Sequence, residues 1–97
     1  MPDLLTDHEL SDILREGLPG WSYADGALTK TWELKGFLGA LVLANAVGHV
    51  CNAMNHHPDL RVHDYNQVTV TLTTHDAGGV TTNDTEAARR IERLVAS

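Results

Sequence analysis

The sequence predicts an α+β domain with an antiparallel sheet, and three observations point to this class. Apolar residues recur at helical spacing in three segments, two of which begin with a capping-box pattern. An Asp-Gly pair separates two strand-like runs, which is the strongest short signal for a β-hairpin. A later run alternates valine or leucine with threonine, as a strand with one buried face does. The predicted order is helix, hairpin, long helix, two strands and helix.

The first third of the chain predicts a helix followed by the hairpin. Thr6 and Glu9 have the spacing of a capping box, so the first helix is expected to start at Thr6. Apolar residues at helical spacing follow it. The hairpin consists of a turn and its two strands: Asp25-Gly26 between residues 21–23 and 27–34.

A long helix is predicted over residues 37–55, and it is apolar nearly all the way round. A helix of this kind is buried on more than one side. In a chain this small, the second side is expected to meet a partner subunit. Pro58 disfavours helical geometry at the residue before it, so the helix should end near His56. Cys51, the only cysteine, lies in this helix and is interpreted as a small buried side chain.

Two strands and a last helix complete the predicted fold. The strands cover residues 61–65 and 68–74, with a turn at residues 66–67 between them. The second strand has one apolar face and one face of threonine hydroxyls. The last helix follows a second capping-box-like pattern, in which Asp84 is interpreted as the partner of the cap. Its predicted core residues are Ala88, Ile91, Leu94 and Val95.

Composition disfavours several classes of function. The net charge is −6 and the seven lysines and arginines form no basic stripe, so direct nucleic-acid binding is not expected. The first residues lack the basic and apolar regions of a signal peptide, and the longest apolar run is too short to span a bilayer. We therefore expect a single cytoplasmic domain over residues 1–97, without membrane contact, that gains stability by self-association.

Three histidines are the main candidates for a functional site. His56 and His57 lie at the predicted end of the long helix, and His75 lies at the end of the last strand. Neutral imidazole both donates and accepts protons near pH 7, so the three would form an acid/base pocket where the two element ends converge. The alternatives are a metal site or surface residues that never meet. A metal site usually has a carboxylate or cysteine ligand and HxH or HxxxH spacing, and adjacent histidines tend to point apart.

These histidines lie in a pattern that resembles the signature of the pterin-4a-carbinolamine dehydratases. The pattern comprises a polar residue, a His-His-Pro triplet, an aromatic residue, a third histidine and an aspartate: Asn52, His56-His57-Pro58, Tyr65, His75 and Asp84. The segments YNQVTVTLTTH and GGVT and the apolar long helix extend the resemblance over nearly the whole chain. Three histidines at these spacings make the signal specific.

The resemblance implies a fold and an activity. The fold is a four-stranded antiparallel sheet with three helices packed on one face, assembled into homodimers or homotetramers through the sheet and the long helix. The reaction is the dehydration of a 4a-hydroxytetrahydropterin to a quinonoid dihydropterin, in the recycling of tetrahydrobiopterin-type cofactors. It requires no metal and no organic cofactor. The implied partner in the same pathway is an aromatic amino-acid hydroxylase.

The resemblance also implies roles for particular residues. His56 and His75 are the acid/base pair, and His57 chiefly positions the substrate. The implied pterin contacts are polar side chains near these histidines: Asn52, Asn55, Thr73, Thr74 and Asp76.

Two positions depart from the family pattern and leave an alternative function open. Asn52 replaces an acidic residue that could stabilise or orient an imidazolium. Leu60 replaces a tryptophan, which is expected to remove an aromatic wall from the pocket. The alternative is a catalytically weak or inactive member that acts as a binding or assembly factor, although a pure scaffold has no need of three pocket histidines.

Overall fold

The computed structural model describes residues 3–96, which form three α-helices and four β-strands. The helices are α1 (Asp7–Gly17), α2 (Phe37–Ala53) and α3 (Thr82–Ala96). The strands are β1 (Ser22–Ala24), β2 (Ala27–Glu33), β3 (Asp59–His63) and β4 (Gln67–Leu72). Every neighbouring pair of strands is antiparallel, in the order β1-β2-β4-β3. The predicted α+β class and its four-stranded antiparallel sheet are therefore confirmed.

Local sequence signals account for the first helix and the hairpin. The Thr6 hydroxyl accepts a hydrogen bond from the Glu9 amide at 3.1 Å, and the Glu9 carboxylate accepts one from the Thr6 amide at 2.8 Å. These bonds form the predicted capping box of α1. Between β1 and β2, Asp25 and Gly26 have φ angles of 53° and 76°. Positive φ at both positions is the geometry of a tight hairpin turn, which aspartate and glycine tolerate.

One face of the sheet carries the core. Alternate residues of β4, namely Val68, Val70 and Leu72, are fully buried, and the three helices contribute apolar side chains to the same cluster. Threonine hydroxyls line the opposite face, where Thr31 Oγ1 lies 2.7 Å from Thr69 Oγ1 on the neighbouring strand. The helices therefore pack on one face of the sheet, as predicted.

The hairpin between β3 and β4 lies two residues earlier than the sequence predicts. β3 covers Asp59–His63 instead of residues 61–65. Asp64 and Tyr65 have positive φ angles of 50° and 71°, so they form the turn and cannot extend the strand. The Asn66 amide closes this turn by donating to the Asp64 carbonyl at 2.8 Å.

Side-chain burial in the helices agrees with the sequence at most positions. Cys51 in α2 is fully buried, as predicted, and burial raises the pKa of its thiol. In α3, Ala88 and Ile91 are buried, but Val95 is 42% exposed because the last turn of the helix only partly contacts the core. None of the helices formed by residues 3–96 is long and apolar enough to cross a membrane.

Candidate active site

The end of α2 determines where the adjacent histidines lie. Asn55 has a left-handed φ of 53°, and its amide donates to the Asn52 carbonyl at 2.9 Å. The His56 amide donates to the Cys51 carbonyl at 3.0 Å. These two bonds form the Schellman motif, which closes a helix around a left-handed residue and which asparagine tolerates. The helix therefore ends at Ala53, before the predicted residue 55, and both histidines lie in the segment that follows.

The third histidine lies in a short loop after β4. The strand ends before residue 74, its predicted end, because the Thr74 amide turns to donate to the Gly79 carbonyl at 2.9 Å. Gly78 has a φ of 78°, a left-handed geometry that favours glycine. A single 3₁₀ turn, His75–Ala77, lies between the two ends of the loop. The loop therefore holds the third histidine at the end of the sheet.

The two segments meet in one cavity, which we call the histidine cavity. It has a volume of about 370 Å³ and is open to solvent. Its walls are the three candidate histidines and neighbouring polar side chains: Asn55, His56, His57, Thr73, Thr74, His75, Asp76 and Asn83. The structure thus brings together all the predicted site residues except Asn52. The three histidines thus line the same cavity.

His56 has a buried carboxylate as its partner. Its Nε2 lies 2.5 Å from Asp84 Oδ1, and the two side chains are 13% and 0% exposed. Asp84 Oδ2 accepts hydrogen bonds from the Thr74 hydroxyl at 2.8 Å and from the Thr81 amide at 2.9 Å. An ionised carboxylate only accepts hydrogen bonds, so His56 Nε2 carries a proton and donates it to Asp84. Asp84 therefore sets both the orientation of the ring and the position of one of its protons.

Asp84 has two roles, of which the sequence predicts only the cap. Its bond from the Thr81 amide closes the start of α3, where the Thr81 hydroxyl also accepts from the Asn83 amide at 3.2 Å. Its other oxygen contacts His56. The sequence-based set of site residues omits both Asp84 and Asn83. The aspartate of the signature pattern is the signal that would have included Asp84, whereas no sequence feature singles out Asn83.

The two residues that depart from the family pattern lie outside the histidine cavity. Asn52 is exposed, and its Oδ1 lies 3.0 Å from His57 Nε2. It does not stack one helical turn below His56, because α2 ends before that histidine. Asn52 and Leu60 instead line a second cavity of about 270 Å³. Leu60 lies beside Gly48 of α2 and is not among the residues that line the histidine cavity.

The other three histidines do not line the histidine cavity. His8 and His49 are exposed on α1 and α2. His63 contacts Asp64 and Thr69, each at 2.7 Å. Within residues 3–96, no group of three or more histidine, cysteine, aspartate or glutamate side chains is arranged to hold a metal ion.

Comparison with known proteins decides the family. The family model described as pterin 4 alpha carbinolamine dehydratase matches residues 3–94. The chain belongs to the pterin-4a-carbinolamine dehydratase family. The resemblance seen in the sequence is confirmed, and the matched region includes every residue of the histidine cavity.

Individual members of the pterin-4a-carbinolamine dehydratase family match over nearly their full length. A protein from Sulfurisphaera tokodaii is 41% identical over 91 residues, covering 94% of this chain and 96% of the relative. One from Opitutus terrae is 41% identical over 95 residues, covering 97% of this chain and 96% of the relative. Both are provisionally named pterin-4-alpha-carbinolamine dehydratases. A crystal structure from Brucella melitensis, described as a transcriptional coactivator/pterin dehydratase, has a TM-score of 0.85 and 33% identity, covering 95% of this chain and 98% of its own.

Proposed function

We propose that this chain dehydrates a 4a-hydroxytetrahydropterin to a quinonoid dihydropterin and water. The observation that carries the proposal is that His56, bonded to a buried aspartate, and His75 line one open cavity of a dehydratase-family fold. In the reaction, the C4a–O bond breaks as its oxygen receives a proton. The neighbouring N–H loses a proton, and a C=N bond forms. The chemistry thus needs one proton donor and one proton acceptor, which two imidazoles supply.

His56 and His75 are assigned to the two proton transfers. His56 keeps one proton on Nε2 in its bond to Asp84, so its Nδ1 is the nitrogen that exchanges protons with substrate. The negative charge of Asp84 compensates the positive charge that the ring acquires when it takes up a second proton. His75 is exposed in its loop, where it can exchange protons with both substrate and water.

The remaining polar residues of the cavity are assigned to binding the pterin. His57, Asn55 and Asp76 are exposed there, and their amide, imidazole and carboxylate groups match the N–H and carbonyl groups of a pterin ring. Thr73 already donates its hydroxyl proton to the Gly26 carbonyl at 2.8 Å, which leaves its oxygen as an acceptor. Thr74 is committed to Asp84, so it contributes mainly by holding that carboxylate.

The proposed activity is tested with a chemically generated 4a-hydroxytetrahydropterin. We expect the wild type to dehydrate it well above the spontaneous rate, and His75→Ala to lower kcat by roughly a hundredfold with the fold intact. His49→Ala is the matched control, because His49 is also exposed but lies outside the histidine cavity, and its rate should equal that of the wild type. Equal rates for wild type and His75→Ala would contradict the assignment of His75, and no rate above the spontaneous reaction would contradict the function.

We also propose that the chain forms homodimers or homotetramers, with α2 as one contact surface. Phe37, Leu38 and Val42 on this helix are 49%, 72% and 60% exposed. Residues 37–53 include no lysine, arginine, aspartate or glutamate, so two copies of this helix can pack together without bringing like-charged side chains into contact.

Light scattering at micromolar concentration should show a mass of at least twice 10.6 kDa. Leu38→Glu combined with Val42→Glu should lower that mass, because each places a charge in the apolar contact. Val95→Glu is the control, since Val95 is an exposed apolar residue on α3. A wild type that is only monomeric would refute the assembly.

A second candidate function is that of a binding or assembly factor for another protein. The exposed apolar face of α2 favours it, and the Brucella melitensis structure carries the description transcriptional coactivator alongside pterin dehydratase. The two functions separate in the dehydration assay, because an assembly factor needs no turnover. If the chain has the dehydratase activity, its substrate would be produced by a pterin-dependent hydroxylase, such as an aromatic amino-acid hydroxylase.

A further inference from the structure

His57 and His56 are adjacent in the chain but have chemically different partners. His56 Nε2 contacts the buried carboxylate of Asp84, whereas His57 Nε2 lies 3.0 Å from the amide oxygen of Asn52. That oxygen only accepts hydrogen bonds, so His57 Nε2 must be the donor. A neutral imidazole has one N–H group, and His57 is therefore left with Nδ1 as its unprotonated nitrogen.

The contact between Asn52 and His57 is built into the end of α2. Asn52 lies in the last turn of the helix, and its backbone carbonyl accepts the hydrogen bond from the Asn55 amide that closes it. Asn52 and His57 are only five residues apart, on either side of this closing turn. The contact therefore forms with the helix end itself and does not require a ligand.

We propose that Asn52 is a positioning residue that keeps His57 in the tautomer protonated at Nε2. His57 then offers a ligand one hydrogen-bond acceptor, Nδ1, and so favours a pterin that presents an N–H or O–H group there. A carboxylate at residue 52 would accept the same hydrogen bond, but it would also favour the doubly protonated ring, which has no acceptor nitrogen. The asparagine keeps the tautomer without adding that charge. The effect on turnover rests on the proposed function, whereas the tautomer does not.

The tautomer can be read directly from the imidazole nitrogens by ¹H–¹⁵N NMR at about pH 8.5, where an ordinary histidine is neutral. The His57 signals are assigned by their loss in His57→Ala. We expect the Nε2-protonated form in the wild type and a mixture of tautomers in Asn52→Ala. Asn52→Asp keeps an acceptor oxygen and should restore the wild-type form. Asn45→Ala is the matched control, because Asn45 is also exposed on α2 and lines the same second cavity.

Turnover of a 4a-hydroxytetrahydropterin is the second readout. Asn52→Ala should raise KM roughly five- to tenfold, the value of one hydrogen bond, with a smaller change in kcat. At the same pH, the KM of Asn52→Asp should be close to the wild-type value, and the KM of Asn45→Ala should equal it. An Nδ1-protonated His57 in the wild type would overturn the proposal, as would a tautomer or a KM that Asn52→Ala leaves unchanged. If the tautomer changes as expected while no protein exceeds the spontaneous rate, the positioning role stands and the proposed function fails.

Discussion

Two helices of this protein begin with the same local device, but only one of the two lies at the candidate active site. At the start of α1, Thr6 and Glu9 exchange hydrogen bonds, and both residues are exposed. At the start of α3, Thr81 and Asp84 form the corresponding cap, and both residues are fully buried. Asp84 also contacts His56 on the wall of the histidine cavity.

Burial, rather than the capping pattern, gives the second carboxylate its additional role. Glu9 is surrounded by water, and the hydrogen bond from the Thr6 amide lowers the pKa of its carboxyl group. Asp84 is removed from water, where every unmet hydrogen bond is costly. Its oxygens are therefore used by an amide, a hydroxyl and an imidazole. The first cap serves its own helix, whereas the second also organises the residues around the histidines.

Asp84→Asn should have the largest effect, because an amide cannot accept hydrogen bonds on both sides. Its NH₂ group would face either the Thr74 hydroxyl and the Thr81 amide, which are donors, or His56 Nε2. In the second case the imidazole would have to move its proton to Nδ1, the nitrogen assigned to the substrate. We expect a rate loss of roughly a hundredfold or more and a fall of about 1–3 kcal/mol in the free energy of unfolding. The measurements are the dehydration rate and urea unfolding.

Glu86→Gln is the matched control for Asp84→Asn. It makes the same acid-to-amide change on the same helix, at a side chain that is 41% exposed and bonded to Arg90. The rate should be unchanged, and the free energy of unfolding should fall by less than about 0.5 kcal/mol. An Asp84→Asn protein as fast as this control would show that the buried cap has no role in turnover.

Removing the capping hydroxyls one at a time compares the two helix starts directly. Thr6→Ala should lower the free energy of unfolding by about 1 kcal/mol, the usual value of an exposed cap, and leave the rate unchanged. Thr81→Ala should lower it by about 2–3 kcal/mol, because it also removes the buried partner 2.8 Å from the Thr74 hydroxyl. Urea unfolding of both variants measures the difference. Equal losses would mean that burial adds nothing to the second cap.

The smallest expected effect is the pH dependence of the exposed cap. The pKa of Glu9 is lower in the folded protein than its ordinary value of 4.5. The stability that its charge contributes is therefore fully present above pH 4.5 and is lost as the pH falls through the lowered folded value. Glu9→Gln should be slightly less stable than the wild type at neutral pH and equal to it in acid. The measurement is the thermal unfolding temperature of both proteins from neutral to acidic pH. If the two temperatures differ by the same amount at every pH, the charge of Glu9 is not the cause of the difference in stability.

Features that depend on a few consecutive residues could be predicted from the amino-acid sequence alone. Thr6 with Glu9 starts α1, and Asp25-Gly26 turns the hairpin, because these residues make their own hydrogen bonds or accept the required φ angles. The alternation of apolar residues and threonine in β4 also predicts which face of the strand is buried, because successive side chains of a strand point to opposite faces. The three histidines were recognisable as a set from their spacing.

The partners of His56 and His57 are seen only in the folded chain. Asn55 adopts a left-handed conformation and ends α2 early, so Asn52 meets His57 instead of lying below His56. The partner of His56 is 28 residues away at the start of α3, and its contact exists only because both helices pack on the same face of the sheet. A capping aspartate has the same local pattern whether it is exposed or buried. Whether the aspartate is buried, and therefore whether it bonds to an imidazole, depends on how the rest of the chain packs around it.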